Sequence, residues 1–520
     1  MQPDAYTELR ERLAEVHDLD RAGAVLTWDE RTKMPAGGAA ARADQLATLA
    51  RVKHYRIGAA EVGHLLTELA PFERSLPHDS TEASLIRVAR RDHEKARRVP
   101  PDLEAELARA AATGEHAWRE ARAQSDFGLL LPHLRRNVEL RRRYVDCFPD
   151  VDDPYDALLD DFEPGMKTSE MERLLGELKQ ALLPLTQSVL ERAGAIDDSF
   201  LHEGFDIARQ RRAVLAILKR MPIAAGTWRL DDTEHPFATA FSPTDVRITT
   251  RYSDGSLSTA LFSALHEMGH ALYESGVNGD TMRTPLCRPV SLGMHESQSR
   301  TWENLVGRSR PFWRCFYGVV ARTFPERLGG VGPDEFYRAV NRVRASLVRV
   351  EADELTYDLH VLVRFELERA VFAGALDLAD LPEAWNERVR EYLGLDVPAD
   401  SAGVLQDVHW AEGMFGYFPT YSLGNIIAGQ LWEAARAALP GLDELIEQGE
   451  LTPLRDWLRE HVHRHGRKLD SAEIVRRATG SPFDIGPYVR YLSEKYGELY
   501  GLEPATAAGV SEPSPATRPG

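Results

Sequence analysis

The sequence predicts a mainly α-helical protein with one short stretch of sheet. Three observations carry this. Apolar residues recur at spacings of three and four along much of the chain. Long runs are dense in Ala, Leu, Glu and Arg, which are good helix formers. Only one segment, about 224–253, switches to a period of two. Apolar residues make up 43% and charged residues 28% of the 520, the balance of a soluble globular protein. That excludes whole-chain disorder, a collagen and a disulfide miniprotein.

Taken in order, residues 5–20 place Tyr6, Leu9, Leu13, Val16 and Leu19 on one helical face. Residues 101–124, 127–146 and 169–193 read as further helices. Proline-containing breaks near 99–101, 149–154 and 222 separate them. Their many Arg and Glu residues are expected to be solvated faces. Between 224 and 253, Gly226, Thr227, Trp228 and Leu230 open a β-rich stretch. Val246, Ile248 and Thr250 then alternate with Arg247, Thr249 and Arg251, as in a short strand pair or small sheet. After Ser253-Asp-Gly-Ser256 the helical period returns and is expected to hold to about 497. The tail, 503–520, is rich in Ala, Pro, Ser and Thr and is expected to be disordered. At about 150 residues per domain the length suggests three or four domains, or one large helical assembly.

The net charge of −18 disfavours nonspecific binding to nucleic acid or anionic lipid. Three cysteines, Cys147, Cys287 and Cys315, form no C-x-x-C pair and suit a reducing cytosol. No signal peptide or membrane span is visible in the sequence. A cytoplasmic protein is expected.

The chemistry is concentrated in Leu261-Phe-Ser-Ala-Leu-His-Glu-Met-Gly-His270. This is H-E-x-x-H in a proline-free apolar stretch. On a helix, positions i and i+4 lie one above the other, so His266 and His270 can offer two imidazoles to one metal. Glu267 falls at the edge of the same face. Zinc suits such a set because it accepts imidazole and carboxylate and keeps an open position; cobalt or manganese could occupy the same ligands. A third ligand six residues on is missing, because residue 276 is Gly. Glu296, 26 residues beyond His270 in Gly293-Met-His-Glu-Ser-Gln-Ser-Arg300, is far enough along to sit on an antiparallel second helix. Two His and one Glu make a catalytic zinc set.

With these residues in place the sequence resembles the carboxypeptidase Taq family of metallocarboxypeptidases. His235-Pro-Phe237 matches its H-P-F, and Asp245-Val-Arg-Ile-Thr249 its D-x-R-x-T. The zinc helix and His295-Glu-Ser-Gln298 follow. Val348-Arg-Val-Glu-Ala-Asp353 departs from I-R-x-x-A-D only by Val for Ile. Gly403-Val-Leu-Gln-Asp-Val-His-Trp410 matches G-x-x-Q-D-x-H-W, and Trp28-Asp-Glu-Arg-Thr-Lys-Met-Pro35 looks like the family's opening. The resemblance runs from about 5 to 502. It implies one helical body, 1–502, with a deep groove and a small sheet beside the zinc helix. That architecture is similar to the angiotensin-converting enzyme and neurolysin group, and it replaces the length-based domain count. It also implies a homodimer that removes residues singly from free peptide C-termini, with broad specificity.

Such an enzyme needs an activated water, stabilisation of the oxyanion and a cation for the terminal carboxylate. Glu267 is placed as general base. Asp245 and His295 are the expected orienters of the imidazoles, although Asp245 could equally pair with Arg247. His409, Tyr417 and Tyr421 are expected around the oxyanion and the substrate, or else in the core. Arg349 is the first choice to grip the carboxylate, because its fork fits both oxygens, and Arg247 the second. For either, the alternative is a buried ion pair, with Asp353 or Asp245. Trp410 and Phe237 are expected to line or support the groove. Two other functions compete with this reading: an oligopeptidase cutting internally, and a helical interaction protein with a structural metal.

Overall fold

Helices 101–124 and 127–146 are found as Pro101–Gln124 and Phe127–Val145, and 169–193 as Thr168–Leu190. The computed structural model describes residues 3–502, so the expected tail lies outside the described residues. The first helix, Asp4–Thr32, runs well past its apolar face at 5–20. Its second half is held by the sheet instead of by core burial. Arg21 Nη1 donates to the Ala240 carbonyl at 2.5 Å, and Trp28 receives the guanidinium groups of Arg229 and Arg247 at 5.4 and 5.0 Å.

The sheet has three strands where a pair was the minimum expectation: β1 (Trp228–Asp232), β2 (Ala238–Ser242) and β3 (Asp245–Thr250). Their order is β1-β3-β2, with β3 parallel to β1 and antiparallel to β2. Val246, Ile248 and Thr250 are fully buried, as the alternation requires. Thr249 is buried too, against the alternation. Its hydroxyl accepts from Phe237 N at 2.7 Å and donates to Phe237 O at 2.9 Å, which satisfies it inside a central strand.

One large apolar core runs from Val99 to Tyr500. A smaller one joins Tyr6, Leu9, Leu13, Val62, Leu66 and Ile86 to Leu286. Among the described residues no helix is long and apolar enough to cross a membrane, and the three cysteines are free.

The helical period does not hold unbroken to 497. Residues 341–356 and 394–418 are largely irregular, with only the 3₁₀ turns Arg349–Glu351 and Asp400–Ala402 inside them. Side chains replace the missing helical hydrogen bonds there. Asp353 accepts from the backbone N–H of Arg344, Leu355 and Thr356, each at 3.0 Å. Gln406 staples the two segments: it accepts from Arg349 N at 3.1 Å and donates to Leu347 O at 2.6 Å and Ala402 O at 2.7 Å. These loops carry Arg349, His409 and Tyr417.

Candidate active site

The two histidines lie on the helix Leu257–Gly276, capped by Ser256, whose Oγ accepts from Thr259 N. We call it the histidine helix. Glu296 lies on Leu292–Arg300, the glutamate helix, capped in the same way by Ser291. A π-helical turn, Thr301–Val306, follows directly, a distortion often found at functional sites. Two glycines bring these elements close. A Cβ on Gly269 would fall 2.5 Å from the Gln298 carbonyl oxygen and 2.6 Å from Ser299 Cα, so the two helices touch backbone to backbone between the histidines. On the following helix, Pro419–Ala438, a Cβ on Gly424 would fall 2.7 Å from Glu296 Cβ. A side chain at Gly269 would push the histidine and glutamate helices apart, and one at Gly424 would push Pro419–Ala438 off the glutamate helix.

The expected triad converges. Ligand atoms of His266, His270 and Glu296 lie within 4.8 Å of one another. Glu296 Oε2 is 3.5 Å from His266 Nε2 and 3.7 Å from His270 Nε2. A tetrahedral metal with bonds of about 2.0–2.2 Å has ligand–ligand edges of about 3.3–3.6 Å, so the residues fit such an ion. Around the triad, Arg300 pairs with both Glu296 and Glu303, and Arg308 pairs with Glu303. Although burial pulls His266 down, Glu296 and Glu303 push it up to about 9. His270 is driven well below its usual value by burial and by His295 and His266, which keeps it in the neutral form a metal needs.

Glu267 is 5% exposed, and its Oε2 is buried with no hydrogen-bond partner. Burial pushes its carboxyl up to about 7. A desolvated carboxylate with a free oxygen, within electrostatic reach of His266 and Glu296, has the character a general base requires.

The orienting group on His266 is Glu303, which the sequence reading missed. Its Oε2 lies 2.8 Å from His266 Nδ1. Asp245 does not orient an imidazole, because it forms a two-point pair with Arg247, at 2.6 and 3.1 Å, on its own strand. Arg247 forms that pair and lies over the rings of Trp28 and Phe241. His295 does reach the site, with its ring stacked on His270 at 4.0 Å and 13°. Carboxylates behind metal-binding histidines are typically worth 10–100-fold in affinity. Glu303→Ala is therefore expected to weaken metal binding by about that factor, read by chelator competition. An unchanged affinity would remove Glu303 from the role.

Arg349 is buried, and its ion-pair partner is Asp407 rather than Asp353. Its Nη2 and Nε meet Asp407 Oδ1 at 2.8 and 3.2 Å, and its Nη1 donates to Tyr357 OH at 2.8 Å. Arg364 Nε meets the other oxygen of Asp407 at 2.7 Å. Two guanidinium groups thus share one carboxylate. Burial, together with these arginines, brings His409 down to about 4 despite Asp407, so its imidazole is neutral. Tyr421 lies under Arg349, its ring 5.0 Å from the guanidinium carbon, and is hydrogen-bonded to Tyr417. His409 packs on Tyr417 at 5.1 Å and Phe418 at 4.6 Å. Trp410 is a support, its Nε1 donating to buried Glu368 at 2.6 Å. His409, Tyr417, Tyr421 and Arg349 are therefore one cluster. It joins the triad through Tyr357, whose ring face holds Arg300 at 4.3 Å.

The model of the carboxypeptidase Taq (M32) metallopeptidase family matches residues 8–496. The chain belongs to that family. It is 43% identical over 511 residues to thermostable carboxypeptidase 1 of Thermus thermophilus, covering 96% of this chain and 100% of that protein. Carboxypeptidase 1 of Bacillus subtilis is 37% identical, over 95% of this chain and 98% of its own. The crystal structure of the M32 carboxypeptidase from Deinococcus radiodurans R1 superimposes with a TM-score of 0.93, at 43% identity, over 96% of this chain and 100% of that one. The M32 protein described here is thus a metallocarboxypeptidase, a peptide hydrolase of the mainly helical fold expected from the sequence, and the non-catalytic reading is set aside. The family implies a divalent metal, and the His-His-Glu cluster is a site that could hold it.

Proposed function

We propose that the protein is a zinc carboxypeptidase of broad specificity, releasing single residues from free peptide C-termini with Glu267 as general base. The observation that carries this reading is the convergence of His266 Nε2, His270 Nε2 and Glu296 Oε2, with the buried, unpartnered carboxylate of Glu267 next to His266 in the chain. Two imidazoles and a carboxylate favour zinc, with cobalt or manganese as substitutes. When bound, the metal supplies an electrophile for the scissile carbonyl and lowers the pKa of water.

The chain's own groups do the rest. Glu267 takes a proton from the attacking water and gives it to the leaving amine. Neutral His409 and the phenol of Tyr421, kept protonated by burial, donate hydrogen bonds to the developing oxyanion. Tyr417 fixes Tyr421 and lines the substrate site. Arg349 grips the terminal carboxylate. An N-terminally blocked hexapeptide tests the outcome. Stepwise loss from the C-terminus, followed by mass spectrometry, is expected; a single internal cut would mean an oligopeptidase.

A further inference from the structure

Glu296 has two carboxylate oxygens, and only one of them faces the histidines. Oε2 points at both Nε2 atoms. Oε1 accepts from Arg300 Nε at 2.7 Å. Ser299 Oγ lies 3.0 Å from Oε2, but its single proton is closer to the Glu296 carbonyl oxygen at 2.7 Å. Arg300 Nη1 also donates to Glu303 Oε2 at 3.3 Å, the oxygen that holds His266. One guanidinium therefore ties down the carboxylate of the triad and the carboxylate behind one of its imidazoles. Arg300 is itself fixed. Its side chain is 12% exposed, and its guanidinium lies on the face of Tyr357. The surrounding acids hold it firmly charged.

A carboxylate can bind a metal through one oxygen or through both. If both oxygens of Glu296 bound, they would add a fifth donor and crowd the open position that a catalytic site needs. We propose that Arg300 is a positioning residue that makes Glu296 a one-oxygen ligand, by occupying Oε1, and so keeps the metal's reactive position open. This rests on the reading of His266, His270 and Glu296 as the ligand set. Arg300 need not touch substrate. Its seat on Tyr357, whose hydroxyl is bonded to Arg349, places it between the metal ligands and the carboxylate-binding cluster.

The test uses the full chain, loaded with zinc for kinetics and with cobalt for spectroscopy. Cobalt d–d bands weaken as coordination rises from four to five, so they report ligand number. Arg300→Gln is expected to stay loaded with metal, to show a weaker cobalt band and to lose about 10–100-fold in kcat, the usual range for groups behind a metal ligand. Arg300→Lys should fall between wild type and Arg300→Gln in both readouts, because one ammonium cannot bridge the two carboxylates as a fork does. If Arg300→Gln does not fold, the lysine variant carries the test alone. A cobalt band identical to wild type in whichever variant is folded and loaded would overturn the proposal, whatever the kcat. The ligand set is tested separately: Glu296→Ala is expected to lose the metal on dialysis, and full occupancy there would refute the ligand reading instead.

Discussion

Glu267→Gln is expected to fold, to bind zinc and to lose nearly all turnover. The side chains are nearly isosteric. Because Glu267 Oε2 has no hydrogen-bond partner, the change breaks no bond at that oxygen. Burying a neutral amide also costs less than burying a carboxylate. The proposed ligands His266, His270 and Glu296 are untouched, so metal analysis after dialysis should match wild type. Turnover should fall by about 10²–10⁴, the usual contribution of a positioned base. In wild type the acid limb of kcat/KM follows from the same group. Burial, together with the charges of Glu296 and Glu303, raises the carboxyl to about 7. A divalent cation at the neighbouring ligands favours the charged form and brings that value down. The base works deprotonated, so the rate should fall with decreasing pH through a pKa below 7. Retention of more than about a tenth of kcat in Glu267→Gln, a small loss against that range, would remove Glu267 from the role.

The parts of the site that were legible in the sequence are those set by helix geometry. His266 and His270 are four residues apart on one helix, and that spacing alone puts both rings over one point. Glu296 could be found because 26 residues beyond His270 leave room for a turn and a second helix that returns past the first. Glu303 could not. It acts on His266 from 37 positions away, and the π-turn that aims it inward has no spacing rule. Of the two places open to Asp245 in the sequence, the structure shows the pair with Arg247. Residues i and i+2 of a strand share a face, so Asp245 and Arg247 were bound to meet, and the local pair won over the distant imidazole. The same limit applied to Arg349. Its partner Asp407 lies 58 residues on, in a second irregular segment whose approach depends on Gln406. Periodicity identifies helices, but it says nothing about how two loops meet.

Arg349→Ala should abolish most of the preference for free-acid peptides over their C-terminal amides. Arg349 and Arg364 face a single acid, Asp407, and His409 between them is neutral. The cluster is therefore one negative charge short, which under the proposed mechanism a substrate carboxylate would supply. An amide does not, so wild type should cleave free acids far better. Removing one side of a buried, hydrogen-bonded charge pair typically costs about 2–5 kcal/mol, or roughly 30- to 5,000-fold in kcat/KM. The fold should survive, because Asp407 keeps Arg364 as its partner. Zinc should stay bound, because Arg349 touches no ligand of the triad. Arg349→Lys should recover part of the loss, since an ammonium provides charge without the planar fork. Arg247→Ala should leave the preference intact, because Arg247 is already committed to Asp245. If Arg349→Ala keeps the full preference and Arg364→Ala loses it, the grip belongs to the second arginine of the pair. If neither substitution matters and amides are cut as fast as acids, recognition of the terminal carboxylate is not built on Asp407 and its two arginines at all.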